Sequence, residues 1–319
     1  MSKKILLIDT MHVSFTEILT ANNFECVEGF HLSETEVLNQ IEEYSGIAIR
    51  SRFKISKAFL EKASHLQFIA RAGAGMENID VDAATKFNIV CINAPEGNRD
   101  AVGEHAIGML LALMNHLLRA DAEVRNGIWK REENRGVELQ GKTVGIIGFG
   151  NMGSSFAKKL QGFDVEILAY DKYIHIDQQK FSFVKQVSLA EIQQRCDILS
   201  LHVPLTKETT YLVNDHFLNA FTKSIWLINT ARGKVLETAS LVNALQSGKV
   251  IAAALDVLEY ENISFEHLDA SKLPAPFLFL IQSKQVLLSP HIGGWTHESN
   301  EKIATILAEK IIDLFNNKH

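Results

Sequence analysis

Cysteine is scarce in this chain, and the few residues present suggest no framework. Cys26, Cys91 and Cys196 are the only three in 319 residues. Their odd number and wide, irregular spacing argue against disulfide stapling and against a thiolate metal site. Each lies in or beside an apolar strand-like run, which points to buried thiols in a reducing cytoplasm. Proline is equally sparse, at five, and no low-complexity segment divides the chain. Basic clusters are missing too: no run exceeds the pairs Lys3-Lys4 and Lys158-Lys159, and the net charge is −6. That balance disfavours nucleic acid or an anionic membrane as a partner. Long hydrophobic runs are also absent. The longest, residues 106–114, falls well short of the ~20 residues that cross a bilayer. The amino terminus offers only residues 5–8 before Asp9, which reads as a first strand and not as a signal peptide.

What is present has the composition of a globular enzyme, 46% hydrophobic and long enough for two domains with separate cores. Strand-like and helix-like patterns alternate. Candidate strands at 4–8, 24–27, 47–50, 68–71 and 89–92 are separated by amphipathic stretches such as 33–44 and 56–63. This alternation predicts a parallel sheet covered by helices on both faces. Ser33 followed by Glu36 fits a capping box, whereas Ser56 followed by Phe59 does not. Residues 98–126 read as one long helix, apolar on nearly every side around 107–113. Such a helix is expected to be buried by its own domain and by a second subunit. The alternation resumes with strands at 198–202, 225–229, 251–255 and 286–289, and the final stretch, 298–316, is one amphipathic helix. The expected architecture is therefore α/β, with two doubly wound parallel-sheet domains. Residues 1–97 form the first and 98–296 the second.

The most informative stretch is Gly148-Phe149-Gly150-Asn151-Met152-Gly153. It follows the short apolar run 142–147 and opens a helix-compatible segment, and the next apolar run ends on Asp171. A dinucleotide-binding unit needs these parts in this order. Gly148 permits the tight turn, Gly150 lets the backbone approach a pyrophosphate, and Gly153 lets helix pack on strand. The helix amino terminus then offers unpaired N–H groups to the phosphates. Asp171 can accept from both hydroxyls of an adenosine ribose, and its charge would repel a 2′-phosphate. NAD is the expected cofactor, and no metal is expected.

Three segments at the ends of later strands could carry chemistry: 229–233 with Arg232, 255–261 with Asp256, Glu259 and Glu261, and 289–294 with His291. In an open α/β sheet these ends face the ligand crevice. Oxidation of a hydroxy acid needs such groups. A guanidinium can bind the carboxylate in two-point geometry and polarise the adjacent carbonyl. An imidazole can move the hydroxyl proton, and a neighbouring carboxylate favours its protonated form. Taken singly, each has a plainer explanation: a structural histidine, a surface ion pair, a solvated loop.

These motifs together resemble the D-isomer-specific 2-hydroxyacid dehydrogenase family over essentially the whole length. The segments are RAGAGMENID from Arg71, the GFGNMG loop, HVPLTKET from His202, INTARG ending at Gly233, ALDVLEYE ending at Glu261, and SPHIGG from Ser289. RAGAGMENID, NAPEGN from Asn93 and HIGGWT are most similar to the D-3-phosphoglycerate dehydrogenases. The resemblance implies a flavodoxin-like substrate domain, completed by the final helix at 297–319, and a Rossmann NAD-binding domain, joined in a homodimer through the latter. It assigns Arg232 to the substrate carboxylate and carbonyl, His291 to acid–base work, and Glu261 to partner His291. Asn151, Met152, Asp171, Thr230 and Ala231 would line the cofactor, and Asp256 would touch its nicotinamide carboxamide. Gly73, Ala74 and Gly75 would surround the substrate carboxylate. A regulatory domain after His319, and serine feedback through it, are not expected.

The family's usual proline after the catalytic glutamate is Asn262 here, which leaves Glu259 and Glu261 both open. The segment between Glu261 and His291 is longer than usual, and its run 277–280 could form a lid or a surface patch. For the substrate, the resemblance implies oxidation of D-3-phosphoglycerate to 3-phosphohydroxypyruvate, a step of serine biosynthesis. Arg50, Arg71 and, from a partner subunit, Arg131 are candidates for its phosphate, each of which could equally be a solvated surface arginine. The alternatives are a glyoxylate/hydroxypyruvate or other 2-keto acid reductase and, from another class, a nucleotide-sensing protein like the co-repressors that share the fold.

Overall fold

A computed structural model describes residues 3–261 and 274–316. Five short apolar runs form β1 (Lys3–Leu7), β2 (Phe24–Glu28), β3 (Gly46–Ile49), β4 (Phe68–Arg71) and β5 (Val90–Asn93). They pair in parallel in the order β2-β1-β3-β4-β5. Period-two alternation sends successive side chains to opposite faces of this sheet. Leu6, Ile47, Ile49 and Ile69 join a core with Val37, Phe59 and Leu60. Ile5, Leu7, Ala48, Phe68 and Ala70 join another with Phe15 and Leu19. Both faces are buried, so every residue of the inner strand β3 is apolar and enclosed. That is the signature of a parallel sheet between two helix layers.

The helix His297–Asn316 belongs to this first unit. Its Ile303, Leu307 and Ile311 recur at helical spacing and enter the Phe15 core. Phe315 stands edge-on to Phe24 and Phe68, with ring centroids at 5.3 and 5.8 Å. Among the described residues this unit comprises 3–99 and 295–316, and the second comprises 100–261 and 274–294.

The second unit holds seven parallel strands: β6 (Thr143–Ile147), β7 (Glu166–Tyr170), β8 (Val184–Gln186), β9 (Ile198–Leu201), β10 (Ile225–Asn229), β11 (Val250–Leu255) and β12 (Val286–Leu288). Their order is β12-β11-β10-β9-β6-β7-β8. The direction of winding reverses between β6 and β9, the place where such sheets bind ligands. The expected α/β class with two doubly wound parallel sheets is what the structure shows.

Local signals account for several helix starts. Ser33 and Glu36 form the capping box, with Glu36 reaching back to the Ser33 N–H at 2.7 Å. Ser56 caps its helix through the Phe59 N–H alone, since Phe59 cannot return the bond. One expectation fails. Residues 98–126 are two helices, Pro95–Met114 and Leu117–Arg125, bent by 60°. The break sits at His116, whose φ of 53° is left-handed and cannot continue a right-handed helix. The three thiols are free; Cys196 is buried, while Cys26 and Cys91 are half-buried. Among the described residues no single helix is long and apolar enough to cross a membrane.

Candidate active site

The glycine loop leaves β6 at the winding reversal and enters the helix Asn151–Leu160. Gly148 has φ +89°, and a Cβ there would meet the His202 backbone at 2.7 Å. At Gly153 a Cβ would stand 2.0 Å from the Gly148 carbonyl oxygen. Both positions therefore require glycine. At Gly150 a Cβ would meet nothing within 4 Å, so space is open where a pyrophosphate needs to approach. Asn151 and Met152 begin the helix, and no side chain caps it.

Asp171 follows β7, and both its carboxylate oxygens accept backbone hydrogen bonds. One carboxylate oxygen accepts from the Phe149 N–H at 2.7 Å, tying the second strand's end to the glycine loop. The other accepts from the N–H groups of Tyr173 and Ile174 at 2.9 and 2.8 Å. Lys172 beside it is engaged by Glu208, which also accepts from the Tyr173 hydroxyl. Thr230 and Ala231 lie just beyond β10, and the buried Thr230 Oγ1 has no hydrogen-bond partner among the described residues. An open cradle, a helix start without a cap, a carboxylate at the end of the second strand and an orphan hydroxyl fit a dinucleotide. NAD would be held by Gly150, Asn151, Met152, Asp171, Thr230 and Ala231.

Strands β10, β11 and β12 are neighbours in register, with Asn229 beside Leu255 and Leu255 beside Leu288. Their carboxyl ends therefore bring the three chemistry-bearing segments side by side. Asn229 shapes the first: its Oδ1 accepts from the Ala231 N–H and its Nδ2 donates to the Arg232 carbonyl, at 3.0 and 3.1 Å. The half-buried Arg232 donates from Nη1 to the Ala231 carbonyl at 2.7 Å.

The geometry separates the two glutamates left open by the sequence. Glu261 Oε2 lies 2.7 Å from His291 Nδ1, and its other oxygen accepts from the Leu258 N–H. Glu259 serves elsewhere, accepting from the Tyr211 hydroxyl at 2.8 Å and from the Thr238 N–H at 2.9 Å. Thr238 opens the helix Thr238–Gln246, so Glu259 answers an unpaired helix N–H group. Because a carboxylate only accepts, Nδ1 of His291 carries the proton, which makes Nε2 the basic nitrogen of the ring.

Asp256 is buried, and both its carboxylate oxygens are committed within the protein. Oδ1 accepts from Ser289 Oγ at 2.6 Å and the Ile292 N–H at 2.9 Å, and Oδ2 from the Gly293 N–H at 2.8 Å. His105 Nε2 lies 3.3 Å from Oδ1. Burial alone would raise this carboxyl, but the donors His105, Ser289, Gly293 and Ile292 outweigh it and hold it at about 2. Asp256 thus braces the turn that carries His291. His105 gave no sequence signal.

In the first unit, Arg71 ends β4 and is half-buried, with Gly73, Ala74 and Gly75 in the turn that follows. Asn93 Nδ2 and the Ala94 N–H fix that turn by donating to the carbonyls of Ala74 and Gly73, at 2.6 and 3.1 Å. Arg50 follows β3 at this sheet's own winding reversal. Its Nε donates to the Thr10 carbonyl at 3.2 Å, its Nη2 donates to Asn300, and its guanidinium lies 5.3 Å from the Trp295 ring. Arg131, in the second unit, is exposed. Of the long segment before His291, residues 262–273 lie outside the described residues. The run 277–280 lies in the helix Ala275–Gln282, where Phe277 and Leu280 are core and Leu278 is exposed.

Residues 107–293, more than half of the chain, match the family described as "D-isomer specific 2-hydroxyacid dehydrogenase, NAD binding domain". The chain is 33% identical over 311 residues to a D-3-phosphoglycerate dehydrogenase of Archaeoglobus fulgidus, covering 98% of this chain and 57% of that protein. It is 34% identical to a D-3-phosphoglycerate dehydrogenase of Methanocaldococcus jannaschii, covering 97% of this chain and 56% of that protein. The chain thus spans little more than half the length of these relatives. Among solved structures it is similar to a D-lactate dehydrogenase of Aquifex aeolicus bound to NAD and lactic acid. That match has a TM-score of 0.83 and 27% identity, and covers 99% of this chain and 96% of that one.

Proposed function

Since the chain belongs to the D-isomer-specific 2-hydroxyacid dehydrogenases, a family of NAD-binding oxidoreductases acting on CH–OH groups, we propose that it interconverts a D-2-hydroxy acid and its 2-keto acid. The observation that carries this reading is the His291–Glu261 pair, set on the same row of strand ends as Arg232. Arg232 binds the substrate carboxylate and polarises the carbonyl. In the oxidative direction Nε2 of His291 takes the hydroxyl proton, and Glu261 stabilises the imidazolium that results. When bound, NAD would supply the acceptor for the hydride that leaves the carbon bearing that hydroxyl.

For the substrate we propose D-3-phosphoglycerate, converted to 3-phosphohydroxypyruvate on a route to serine. Identity to the two archaeal phosphoglycerate dehydrogenases and the half-buried placement of Arg50 and Arg71 support this. Arg131 of the partner subunit would add a third cation. A homodimer is supported by the exposed apolar side chains of Leu117, Leu118, Val124, Ile128 and Trp129, which follow one another along one short segment. Free thiols suit a cytoplasmic setting.

A second reading, a general 2-keto acid reductase, is favoured by one observation: Arg50 already spends Nε and Nη2 on Thr10 and Asn300. The test is kcat/KM with NADH for phosphohydroxypyruvate against hydroxypyruvate, glyoxylate and pyruvate. Preference for the phosphorylated acid upholds the first reading. Preference for another replaces it with the second, and turnover of none would favour a nucleotide-sensing role.

A further inference from the structure

His105 lies on the helix Pro95–Met114, 184 positions from Ser289 in sequence, yet its Nε2 is 3.1 Å from Ser289 Oγ. The Ser289 hydroxyl has one proton, and Asp256 Oδ1 at 2.6 Å can only accept it. Ser289 therefore faces His105 with a lone pair, and Nε2 of His105 must be the protonated nitrogen. The Nε2–H of His105 thus points at Ser289 Oγ, with Asp256 Oδ1 slightly farther at 3.3 Å, and Ser289 in turn donates to Asp256.

Beyond Asp256 the chain reaches the acid–base turn. His291 has φ +56°, a left-handed conformation that a β-carbon disfavours. Three backbone N–H groups of the turn donate to Asp256. The His291 N–H donates to the Asp256 carbonyl at 2.8 Å, and the next two N–H groups donate to its carboxylate. The fit behind the turn is close: a Cβ on Gly293 would lie 2.8 Å from Asp256 Oδ2 and 3.3 Å from His105 Cδ2.

We propose that His105 is a positioning residue for the dehydrogenase reaction: through Ser289 it fixes the Asp256 carboxylate, and through Asp256 the left-handed turn that aims the His291 imidazole. The proposal rests on the acid–base role given to His291 above. Without the Nε2–H donor, the Ser289 hydroxyl is free to turn from Asp256 and a partly buried acceptor loses its partner. The carboxylate then has fewer constraints while the strained turn still pulls on it. Geometry at the reacting proton suffers first, since small misplacements there cost large factors in rate. The glycine loop and Asp171 are untouched, so cofactor affinity should survive.

The experiment compares His105→Leu and His105→Gln in the full chain with the unmodified protein. NAD affinity is measured by titration calorimetry, and kcat and KM with the best keto acid across pH. Leucine removes the donor, whereas the glutamine amide can restore an N–H near the position of Nε2. His105→Leu should lose about tenfold or more in kcat with a changed pH profile, while the NAD Kd stays within about threefold. His105→Gln should recover most of the rate. A wild-type kcat in His105→Leu, a parallel loss of NAD affinity, or glutamine as impaired as leucine would each overturn the proposal. If His105→Leu does not fold, Ser289→Ala provides the decision, since it deletes only the linking hydroxyl: an unchanged kcat overturns the proposal and a matching selective loss upholds it. His291→Ala is run alongside. Full activity in that variant defeats the acid–base reading itself, whereas an inactive His291→Ala beside a fully active His105→Leu defeats only the positioning role.

Discussion

Glu261 Oε2 and His291 Nδ1 stand 2.7 Å apart, joining the loop after β11 to the loop after β12. On the acid–base reading proposed above, this contact makes Nε2 the working nitrogen of His291 and Glu261 the glutamate that supports it. Replacing Glu261 with Gln keeps the shape but removes the charge that stabilises the imidazolium. We expect kcat to fall about a hundredfold or more with the NAD Kd unchanged. Glu259→Gln should behave differently, because Glu259 serves the start of the helix Thr238–Gln246. It should lower stability by ~1 kcal/mol, read as a small drop in denaturation midpoint, with kcat nearly intact. A Glu259→Gln enzyme as slow as Glu261→Gln would reverse the assignment.

Cofactor choice rests on Asp171 and on a neighbour that neutralises a lysine. Asp171→Ala should weaken NAD binding by more than its ribose contacts alone, since the Phe149 N–H in the glycine loop also loses its acceptor. Lys172 could attract a 2′-phosphate, but Glu208 holds its ammonium group. Glu208→Gln should therefore lower the NADP Kd severalfold and leave the NAD Kd nearly constant. An unmodified protein that binds both cofactors equally would show that neither carboxylate discriminates.

Much of this was legible in sequence because the signals are local. The glycine loop, its flanking strand and Asp171 fall within one short segment, and period-two and helical spacings mark the parallel strands and the last helix. What was missed depends on residues far apart or on small backbone effects. The reversal at His116 has no glycine or proline to announce it. β8 (Val184–Gln186) is three residues long and carries a lysine and a glutamine, so it shows no apolar run. The split of tasks between Glu259 and Glu261 turns on Tyr211 and Thr238, which only the fold brings near. His105 looks like any polar residue in an apolar helix until Ser289 is placed beside it.

Acid stability should depend on His202, which is enclosed beside the glycine loop with Nε2 2.8 Å from Ser200 Oγ. Burial pushes its imidazole down to about 3. The unfolded chain binds a proton here below about pH 6.5 while the folded protein stays neutral, so folding is penalised as pH falls from there toward 3. The slope attributable to one such proton approaches ~1.4 kcal/mol per pH unit. His202→Asn, which keeps a polar side chain but cannot titrate, should show a flatter loss of stability between pH 6.5 and 4 than the unmodified protein. Parallel curves in urea titrations at each pH would mean that His202 takes up its proton in the folded state.

The phosphate hypothesis makes the sharpest demand on Arg71, the last residue of β4. A phosphorylated substrate is dianionic at its far end, and a half-buried guanidinium could meet it with charge-assisted hydrogen bonds worth ~1.5–3 kcal/mol. Hydroxypyruvate lacks that group but shares the carboxylate and the ketone. Arg71→Gln should therefore reduce kcat/KM for phosphohydroxypyruvate roughly ten- to a hundredfold, mainly through KM, and change hydroxypyruvate far less. The ratio of the two effects is the quantity to measure, because a general disturbance of the turn at Gly73, Ala74 and Gly75 would lower both alike. Equal losses would assign Arg71 to that turn or to the carboxylate, and would leave a 2-keto acid without phosphate as the substrate.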